Sequence, residues 1–405
     1  MNILFLTIGS IDNIDDRGIY SDLLREFRNQ GHSVYFVSPY QKREGKETCF
    51  KEVNGAYALR VKIGNITKCG MIEKGISTLR IEGQYKRAIK KYLKDVKFDL
   101  VMYSTPPITF AKVIKYIKKR DNAKSYLLLK DIFPQNAIDI GMLTKSGVKG
   151  LLYRFFRKKE KKLYSNSDMI GCMSEANVSY VLKNNPEVSA DKVEVCPNSI
   201  EIVDMRISAN EREELRKKYD IPLDKKVFIY GGNLGRPQGI PFLIECLRAQ
   251  KENKNSYFLV VGDGTEYGKL EAFFNAEKPE NMKLMKRLPK EDYDRMVAAC
   301  DVGMIFLDHR FTIPNFPSRL LAYMQAGVPV LAATDPNTDV GKVIEEGGFG
   351  WWCESNDVSA FTAKVAEAES ADYAKMAENE KKYLEENYTV SEAYKTIERS
   401  LAEKI

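Results

Sequence analysis

Short apolar runs alternate with helical stretches through the first half of the chain. Each run is continuously hydrophobic and bounded by Gly, Pro or polar residues, a pattern typical of strands buried on both faces of a parallel sheet. The predicted strands are residues 2–8, 33–38, 99–104, 124–129 and 168–173, and the first predicted helix is residues 19–30. Alternating strands and helices of this kind predict a doubly wound α/β sheet.

The alternation breaks near residues 195–199, where a polar, acidic helix at residues 209–219 introduces a second series of strands. These are predicted at residues 226–230, 256–261, 282–285, 301–307 and 328–332. We therefore predict one domain over residues 1–199, a second over residues 200–375, and C-terminal helices over residues 376–405 with a break at residues 387–389.

Two Rossmann-like, doubly wound domains in tandem are the expected fold class. Ligands of open α/β sheets bind at the carboxyl ends of the strands, so we expect the two domains to face a cleft that holds the ligand.

Composition excludes several classes of protein. The 405 residues contain only two histidines, His32 and His309, which excludes a His-rich metal site and leaves little scope for a Ser-His-Asp hydrolase. Seven scattered cysteines without a CxxC pair indicate reduced, mostly buried thiols. The chain shows no signal peptide and no apolar run of the ~18 residues that a membrane span requires, which predicts a cytoplasmic protein.

Charge is distributed unevenly along the chain. Residues 1–200 carry a net charge of +14, and residues 201–405 carry −7. Basic segments concentrate at residues 86–97, 112–124 and 149–164 of the first domain.

Two glycine-rich turns follow strands of the second domain. Residues 230–239 read Tyr-Gly-Gly-Asn-Leu-Gly-Arg-Pro-Gln-Gly, and the strand at residues 257–261 runs directly into Gly262-Asp-Gly264. Glycines at strand ends allow close backbone approach to an anionic ligand, and the planar guanidinium of Arg236 suits phosphate oxygens. The alternatives are an ordinary tight turn at Gly262 and an exposed loop arginine at Arg236.

A helix start with affinity for phosphate is expected at residues 317–320, which read Pro-Ser-Arg-Leu. Pro317 lies in the first turn, Ser318 can cap the helix, and the free N–H groups at such an end favour an anion. Read as structure alone, the segment is one more βαβ crossover.

These residues together resemble the donor domain of retaining family 4 glycosyltransferases with the GT-B fold. The resemblance is carried by residues 231–239, the Gly-Asp-Gly turn, the strand at residues 301–307, and residues 317–330, Pro-Ser-Arg-Leu-Leu-Ala-Tyr-Met-Gln-Ala-Gly-Val-Pro-Val. In the first domain, Lys-Asp-Ile-Phe-Pro-Gln-Asn (residues 130–136) is similar to a segment of members that build bacterial surface polysaccharides, including amino-sugar transferases.

The resemblance implies transfer of a sugar, with retention, from a nucleoside diphosphate sugar, most often a UDP-sugar, without a required metal or other cofactor. The first domain would bind a glycan or polyprenyl-linked acceptor, the second would bind the nucleotide sugar, and the C-terminal helices would pack back on the first. The family pattern assigns the donor to the second domain, with the diphosphate at Gly235, Arg236 and Gln238, the nucleotide along Gly262 and Gly264, the base beside Arg287 and Leu288, and the phosphates at Ser318, Arg319 and Leu320.

The chain departs from the family pattern in two ways. Gln238 stands where many members have a lysine. Many members also have a pair of glutamates, of which the first place falls near Asn315 here and the second, which holds the ribose, is taken by Ala322. Recognition of the ribose and of the base is therefore left open.

Three residues are candidates for the chemistry that the resemblance implies. Arg236, with help from Arg319, would stabilise the departing diphosphate, and Asp131 at a strand end would orient the sugar or the acceptor hydroxyl. A helix-capping role is the alternative for Asp131. We expect His32 to be structural, whereas His309 either faces the donor or lies in a solvated loop.

Residues 149–164, from Lys149 to Tyr164, contain seven Lys or Arg, one Glu, and five Leu or Phe residues available for an apolar stripe. A cationic helix with aromatic residues can lie on an anionic bilayer, which suits a peripheral protein at the inner face of the plasma membrane and a lipid-linked acceptor. The alternatives are a solvated helix face and nucleic acid, of which the latter fits less well because a sheet must bury the interleaved aromatic residues.

Two rival functions fit the same fold. A UDP-sugar 2-epimerase would be expected to bring more acid–base residues into the cleft. With only two histidines, the chain fits that expectation poorly. A catalytically degenerate partner subunit would account for Gln238 and Ala322.

Overall fold

Both hydrophobic series fold into mainly parallel sheets in the computed structural model, which describes residues 1–402. The chain divides into two units. The first comprises Met1–Glu201 and the end of the chain from Thr389, and the second is Ile202–Tyr388.

The first unit is built on an eight-stranded sheet with the order β3-β4-β2-β1-β5-β6-β7-β8. All neighbouring strands are parallel except β3, which pairs antiparallel with β4 at one edge. The strands are β1 (Asn2–Leu6), β2 (Ser33–Gln41), β3 (Cys49–Val53), β4 (Ala56–Ile63), β5 (Leu100–Ser104), β6 (Lys124–Leu129), β7 (Met169–Cys172) and β8 (Val193–Val195).

Helices connect these strands as the alternation predicts. They are α1 (Ile19–Asn29), α2 (Met71–Tyr92), α3 (Ala111–Asp121), α4 (Gln135–Asp139), α5 (Gly147–Asn166) and α6 (Glu175–Asn184). The last helix of the chain, α15 (Val390–Ala402), packs against α1 and buries Tyr394 and Ile397 in the core of this unit.

The second unit contains a six-stranded, wholly parallel sheet with the order β11-β10-β9-β12-β13-β14. Its strands are β9 (Lys226–Asn233), β10 (Ser256–Asp263), β11 (Met282–Lys286), β12 (Val302–Phe306), β13 (Val330–Thr334) and β14 (Gly350–Glu354). Its helices are α7 (Ala209–Lys218), α8 (Ile240–Ala249), α9 (Tyr267–Glu277), α10 (Lys290–Ala298), α11 (Arg319–Ala326), α12 (Val340–Glu346), α13 (Val358–Glu369) and α14 (Tyr373–Asn387).

One predicted packing arrangement is wrong. Residues 376–405 were all expected to pack on the first domain, but α14 belongs to the second unit, where it packs against α11. Only α15 returns to the first unit, and residues 403–405 of the predicted terminal helix lie outside the described residues. The units divide between Glu201 and Ile202, two residues beyond the predicted boundary.

The chain leaves and re-enters the first unit at adjacent points. Ile200 forms an isolated parallel bridge with Thr389, and the Val390 N–H donates to the Ile200 carbonyl over 3.2 Å. Arg25 anchors the departing chain by a two-oxygen contact with Glu201 at 2.9 and 2.7 Å.

The cysteines behave as their scattered positions suggest. All seven are free, and Cys172, Cys196, Cys246, Cys300 and Cys353 are buried.

Candidate active site

The two glycine-rich turns of the second unit lie against each other at the carboxyl ends of β9 and β10. The Leu234 N–H donates to the Asp263 carbonyl, and the Glu266 N–H donates to the Leu234 carbonyl, both over 2.9 Å. A Cβ on Gly262 would lie 2.2 Å from the Gly232 carbonyl oxygen, and one on Gly264 would lie 2.4 Å from that of Leu234. The close approach that requires these two glycines is therefore backbone against backbone.

The first turn is closed by the side chain of Gln238. Its Oε1 accepts hydrogen bonds from the Gly235 N–H at 3.1 Å and from Nδ2 of Asn233 at 3.2 Å. The amide oxygen of Gln238 thus holds the turn together, and its amide NH₂ remains as the group able to donate to an anion.

Arg236 extends from the same turn and is 58% exposed. Its Nε lies 3.7 Å from Oε1 of Glu266, an ion pair that contributes little at such exposure. The guanidinium is therefore free to reorient towards a ligand.

A cavity of about 360 Å³ opens where β9, β10 and β11 end. It brings Arg287 and Leu288, both predicted beside a base, together with the backbone of the first glycine turn. Its complete lining is Gly232, Asn233, Val261, Asp263, Arg287, Leu288, Lys290 and Tyr293. This cavity is the candidate ligand site of the second sheet, because parallel sheets bind ligands at their carboxyl edge.

Lys290 and Tyr293 were missed in the sequence. Both lie on α10, and Tyr293 covers Gly231 so closely that a Cβ there would be 2.0 Å from its hydroxyl oxygen. The available signal was the glycine pair 231–232, of which Gly231 makes room for the Tyr293 ring.

Arg319 connects the cavity to the start of α11. Its guanidinium carbon lies 4.5 Å from the centre of the Tyr230 ring, and a Cβ on Gly232 would lie 3.3 Å from its Nη2. Within residues 1–402, its buried Nη1 has no hydrogen-bond partner. A buried cationic donor without a partner is costly, and an anion bound beside Gly232 would satisfy it.

The helix start at residues 317–320 differs from the expectation. Ser318 does not cap α11 with its side chain and is itself helical, with φ −64° and ψ −16°. The Leu320 N–H donates to the Pro317 carbonyl over 3.2 Å, and the Leu320 side chain is fully buried. Of the three residues predicted at the phosphates, Arg319 alone presents an unused buried donor.

Asp131 lies where β6 ends in the first unit and does not cap a helix. Its Oδ1 accepts from Nδ2 of Asn136 at 2.8 Å, while its backbone N–H donates to Oγ1 of Thr105 at 3.1 Å. Burial raises the pKa of the carboxyl group to about 6, although the hydrogen bond from Asn136 opposes the shift. Beside it, burial lowers the pKa of Lys130, whose Nζ donates to the Cys196 carbonyl at 3.1 Å.

The loop after β1 is held by a buried arginine that sequence reasoning did not single out. Arg60 lies 4.2 Å above the Tyr40 ring and donates to Oδ1 of Asp12 at 2.7 Å and to Oγ of Ser10 at 3.0 Å. An arginine inside the apolar run of β4 was the available signal, since a buried charge needs partners.

The two histidines take different positions. His32 contacts the hydroxyl of Tyr394 through Nε2 at 3.0 Å, which joins the start of β2 to α15 and confirms its structural role. His309 is 52% exposed in the loop after β12.

The apolar stripe predicted on α5 is divided between surface and core. Four apolar residues of this helix are exposed: Val148 (84%), Leu151 (60%), Leu152 and Phe155. Leu163, by contrast, is buried. Phe156 packs edge-on against Phe133, with the two ring centres 5.0 Å apart. Of the described helices, none is both long and apolar enough to cross a bilayer.

Comparison with known proteins gives matches for much of the chain. Residues 211–386, within the second unit, match the family described as glycosyl transferases group 1. The chain is similar to bacterial proteins described as glycosyltransferases. It is 24% identical over 298 residues, 72% of this chain and 71% of the relative, to the glycosyltransferase WbjE of Pseudomonas aeruginosa. It is 23% identical over 277 residues, 67% of this chain and 66% of the relative, to a colanic acid biosynthesis glycosyl transferase, WcaI, of Escherichia coli K12.

The chain has the GT-B fold, as the resemblance implied. HepE from Anabaena, solved in complex with UDP and glucose, matches with a TM-score of 0.72 and 15% sequence identity over 100% of both chains. At that identity, the structural match establishes the fold.

Proposed function

We propose that the protein transfers a sugar from a nucleoside diphosphate sugar, with UDP as the nucleotide, to a glycan or lipid-linked acceptor in the assembly of a bacterial surface polysaccharide. The transfer proceeds with retention at the anomeric carbon. The observation that carries the proposal is the unpartnered Nη1 of Arg319 beside the glycine turn of a cavity, within the segment that matches group 1 glycosyl transferases.

Breaking the sugar–phosphate bond leaves a diphosphate that gains negative charge. A cation already in position stabilises that charge more in the transition state than in the bound donor. Arg319 supplies a guanidinium held by the Tyr230 ring, and Arg236 supplies a second one that is free to move. The backbone of residues 231–235 and the NH₂ of Gln238 complete the diphosphate site.

The base and ribose would occupy the 360 Å³ cavity beside Arg287, Leu288 and Tyr293. Asp263 and Asn233 in the same lining offer hydrogen-bond acceptors for the ribose, which the second glutamate holds in many family members and Ala322 cannot hold here. A uracil base is favoured because HepE, of the same fold, was solved with UDP.

We assign the acceptor to the first unit, with Asp131 as the group that orients its hydroxyl. With its pKa raised to about 6, the carboxylate is ionised at neutral pH yet is basic enough to accept a proton during transfer. The exposed apolar residues of α5 would seat the protein on the cytoplasmic face of the plasma membrane, where lipid-linked acceptors are found.

The direct test combines purified protein with a panel of UDP- and GDP-sugars and a membrane-lipid acceptor, followed by mass spectrometry and calorimetry. We expect one UDP-sugar to bind and its sugar to appear on the acceptor. An epimerised UDP-sugar formed without acceptor would instead establish the 2-epimerase. A chain that binds neither nucleotide would be a degenerate partner subunit.

Stereochemistry is tested separately by NMR of the first product formed. The anomeric configuration of the donor should be preserved in the new glycosidic bond. An inverted product would overturn retention while leaving the donor assignment intact. Full activity in the presence of EDTA is also expected, since guanidinium groups hold the diphosphate in this proposal.

A further inference from the structure

A strongly cationic groove crosses the outer surface of α3 in the first unit, between α2 and α5. It encloses a cavity of about 520 Å³. Five lysines, Lys86, Lys112, Lys115, Lys119 and Lys162, surround the ring of Tyr116 in its lining. None of these residues belongs to the donor cavity, which lies in the other unit.

The helix sequence explains why the lysines converge. Lys112, Lys115 and Lys119 recur at three- and four-residue spacing and therefore share one face of α3. The opposite face, with Val113, Ile114 and Ile117, is buried against the sheet. Lys86 from α2 and Lys162 from α5 then complete a concave surface around that row.

The charge of the groove is not neutralised by the protein. In the described part of the chain, no carboxylate lies within ion-pair distance of any of the five lysines. Glu82, the nearest acidic residue on α2, is buried and accepts a hydrogen bond from the backbone N–H of Lys112 instead. Like charges crowded in one concavity repel each other, and an anion that enters relieves the repulsion.

The chemistry of the groove favours phosphate over carboxylate. The one guanidinium present, that of Arg120, is already occupied by Asp121 and by the carbonyls of Leu93 and Val96. Recognition is therefore left to ammonium groups, which act as compact point charges and suit a dense, multiply charged anion.

The aromatic ring argues against single-stranded nucleic acid as the ligand. Lys86, Lys90 and Arg120 all lie within 5.0 to 5.7 Å of the centre of the Tyr116 ring. A ring so surrounded by cations is not available for stacking on a base, which is the main sequence-tolerant contact of such proteins.

We propose that this groove binds a ligand that carries two or more phosphate groups close together. Either a lipid headgroup or a soluble polyphosphate supplies that chemistry. The inference is independent of the proposed sugar transfer, because it rests on other residues and on the other unit.

The test uses the full chain and inorganic tripolyphosphate in titration calorimetry at low salt. The groove variant replaces Lys112, Lys115 and Lys119 by Gln, and the matched control replaces Lys51, Lys74 and Lys183 by Gln. All six lysines are exposed and lack a carboxylate partner among the described residues, so the two variants lose the same charge without loss of packing. Because both keep the same second unit, their difference reports on the groove alone.

We expect tripolyphosphate to bind at least about tenfold more weakly to the groove variant, with affinity falling steeply as salt rises, and the control to resemble the parent chain. A second arm uses vesicles of phosphatidylcholine with cardiolipin, whose headgroup carries two phosphates, in a Leu151→Ser, Phe155→Ser background that removes the apolar contact of α5. If the groove variant loses binding to tripolyphosphate only, the ligand is a soluble polyphosphate. If it loses binding to the vesicles only, the ligand is a lipid headgroup. Equal binding by groove variant and control, or no binding of either probe by the parent chain, overturns the proposal.

Discussion

Arg319 combines two properties that a charged residue seldom has together. Its guanidinium packs over an aromatic ring, and one of its nitrogens is buried without a partner. The folded protein alone gains nothing from that nitrogen. In the proposed function, a bound anion would supply the missing partner and offset that cost.

We expect Arg319→Gln to lower kcat of sugar transfer by about 100-fold, because a preorganised donor to a developing charge is lost. Steady-state kinetics with the donor found in the panel would measure it. Arg248→Gln is the matched control, since Arg248 lies on α8 of the same unit and pairs with Glu277 at the surface. Wild-type kcat in Arg319→Gln would remove this residue from the mechanism.

Asp131 predicts a pH dependence. Since its pKa is raised to about 6, kcat/KM should rise as pH increases through 6, and Asp131→Asn should abolish that limb while lowering the plateau. Asn136→Ala should shift the limb to higher pH, because it removes a hydrogen bond that favours the ionised form. A limb that persists unchanged in Asp131→Asn would belong to another group.

The raised pKa of Asp131 also predicts that stability changes with pH in the direction opposite to activity. A carboxyl whose pKa is raised on folding binds its proton more tightly in the folded state, so its contribution to the free energy of unfolding falls as pH rises from about 4 to about 6. Asp131→Asn should therefore gain stability relative to the parent above pH 6 and lose that advantage near pH 4, as denaturant titrations would show.

At the scale of elements, the donor cavity depends on contact between the turns after β9 and β10. The glycines in these turns allow the two backbones to lie in contact, because side chains at these positions would push the turns apart. The glycine-rich pattern in the sequence therefore marks where two turns meet, but not that the contact between them is backbone against backbone.

We expect Gly262→Ala to destabilise the second unit by roughly 2–4 kcal/mol, since the new methyl group would lie 2.2 Å from the Gly232 carbonyl oxygen. Gly268→Ala is the control, because Gly268 lies in α9 with open space around its Cα and should be neutral or slightly stabilising. Thermal unfolding monitored by circular dichroism would compare them. Equal melting temperatures for the two variants would contradict the observed contact.

On α5, exposed apolar residues lie among lysines, and the proposed membrane contact uses both. Leu151→Ser with Phe155→Ser should reduce flotation with anionic liposomes several-fold even at low salt, whereas Leu223→Ser with Ile202→Ser, at exposed apolar sites of the second unit, should not. Undiminished flotation of the α5 variant would exclude its apolar face from membrane contact.

At the scale of the whole molecule, the buried strands were the most predictable part. The run at residues 124–129 matches β6 at both ends, because a strand buried on both faces is marked by an uninterrupted apolar sequence. The edge strand β3 was missed, since its middle residues are exposed and two of them, Lys51 and Glu52, are charged. Strands β4, β8 and β14 were also missed, although β4 is largely buried.

The candidate site likewise contains some residues that the sequence marks and others that it does not. Arg236, Gly262 and Arg319 could be selected as candidates from the sequence because residue type and spacing carry the signal. Tyr293 in the lining of the cavity and the Arg60 contacts in the loop after β1 could not, because they depend on elements brought together by the fold. The packing of α14 against α11 was equally hidden in the sequence.

The helix α15 completes the first unit from the far end of the chain. A chain that ends at residue 388 should lose cooperative unfolding of the first unit, since the core would lack Ile397 and Phe27 would lose its contact with the Tyr394 ring. UDP binding, a property assigned to the second unit, should persist within a few-fold. A chain that ends at residue 402 serves as the control, and calorimetry would measure both properties.

The bridge between Ile200 and Thr389 has an evolutionary consequence. The second unit is a single insertion whose two ends emerge side by side from its host. A module attached in this way can be exchanged between related genes by recombination at two neighbouring joints, without disturbing the core of the host. Under the proposed function, such an exchange would create a new pairing of sugar and acceptor in one event.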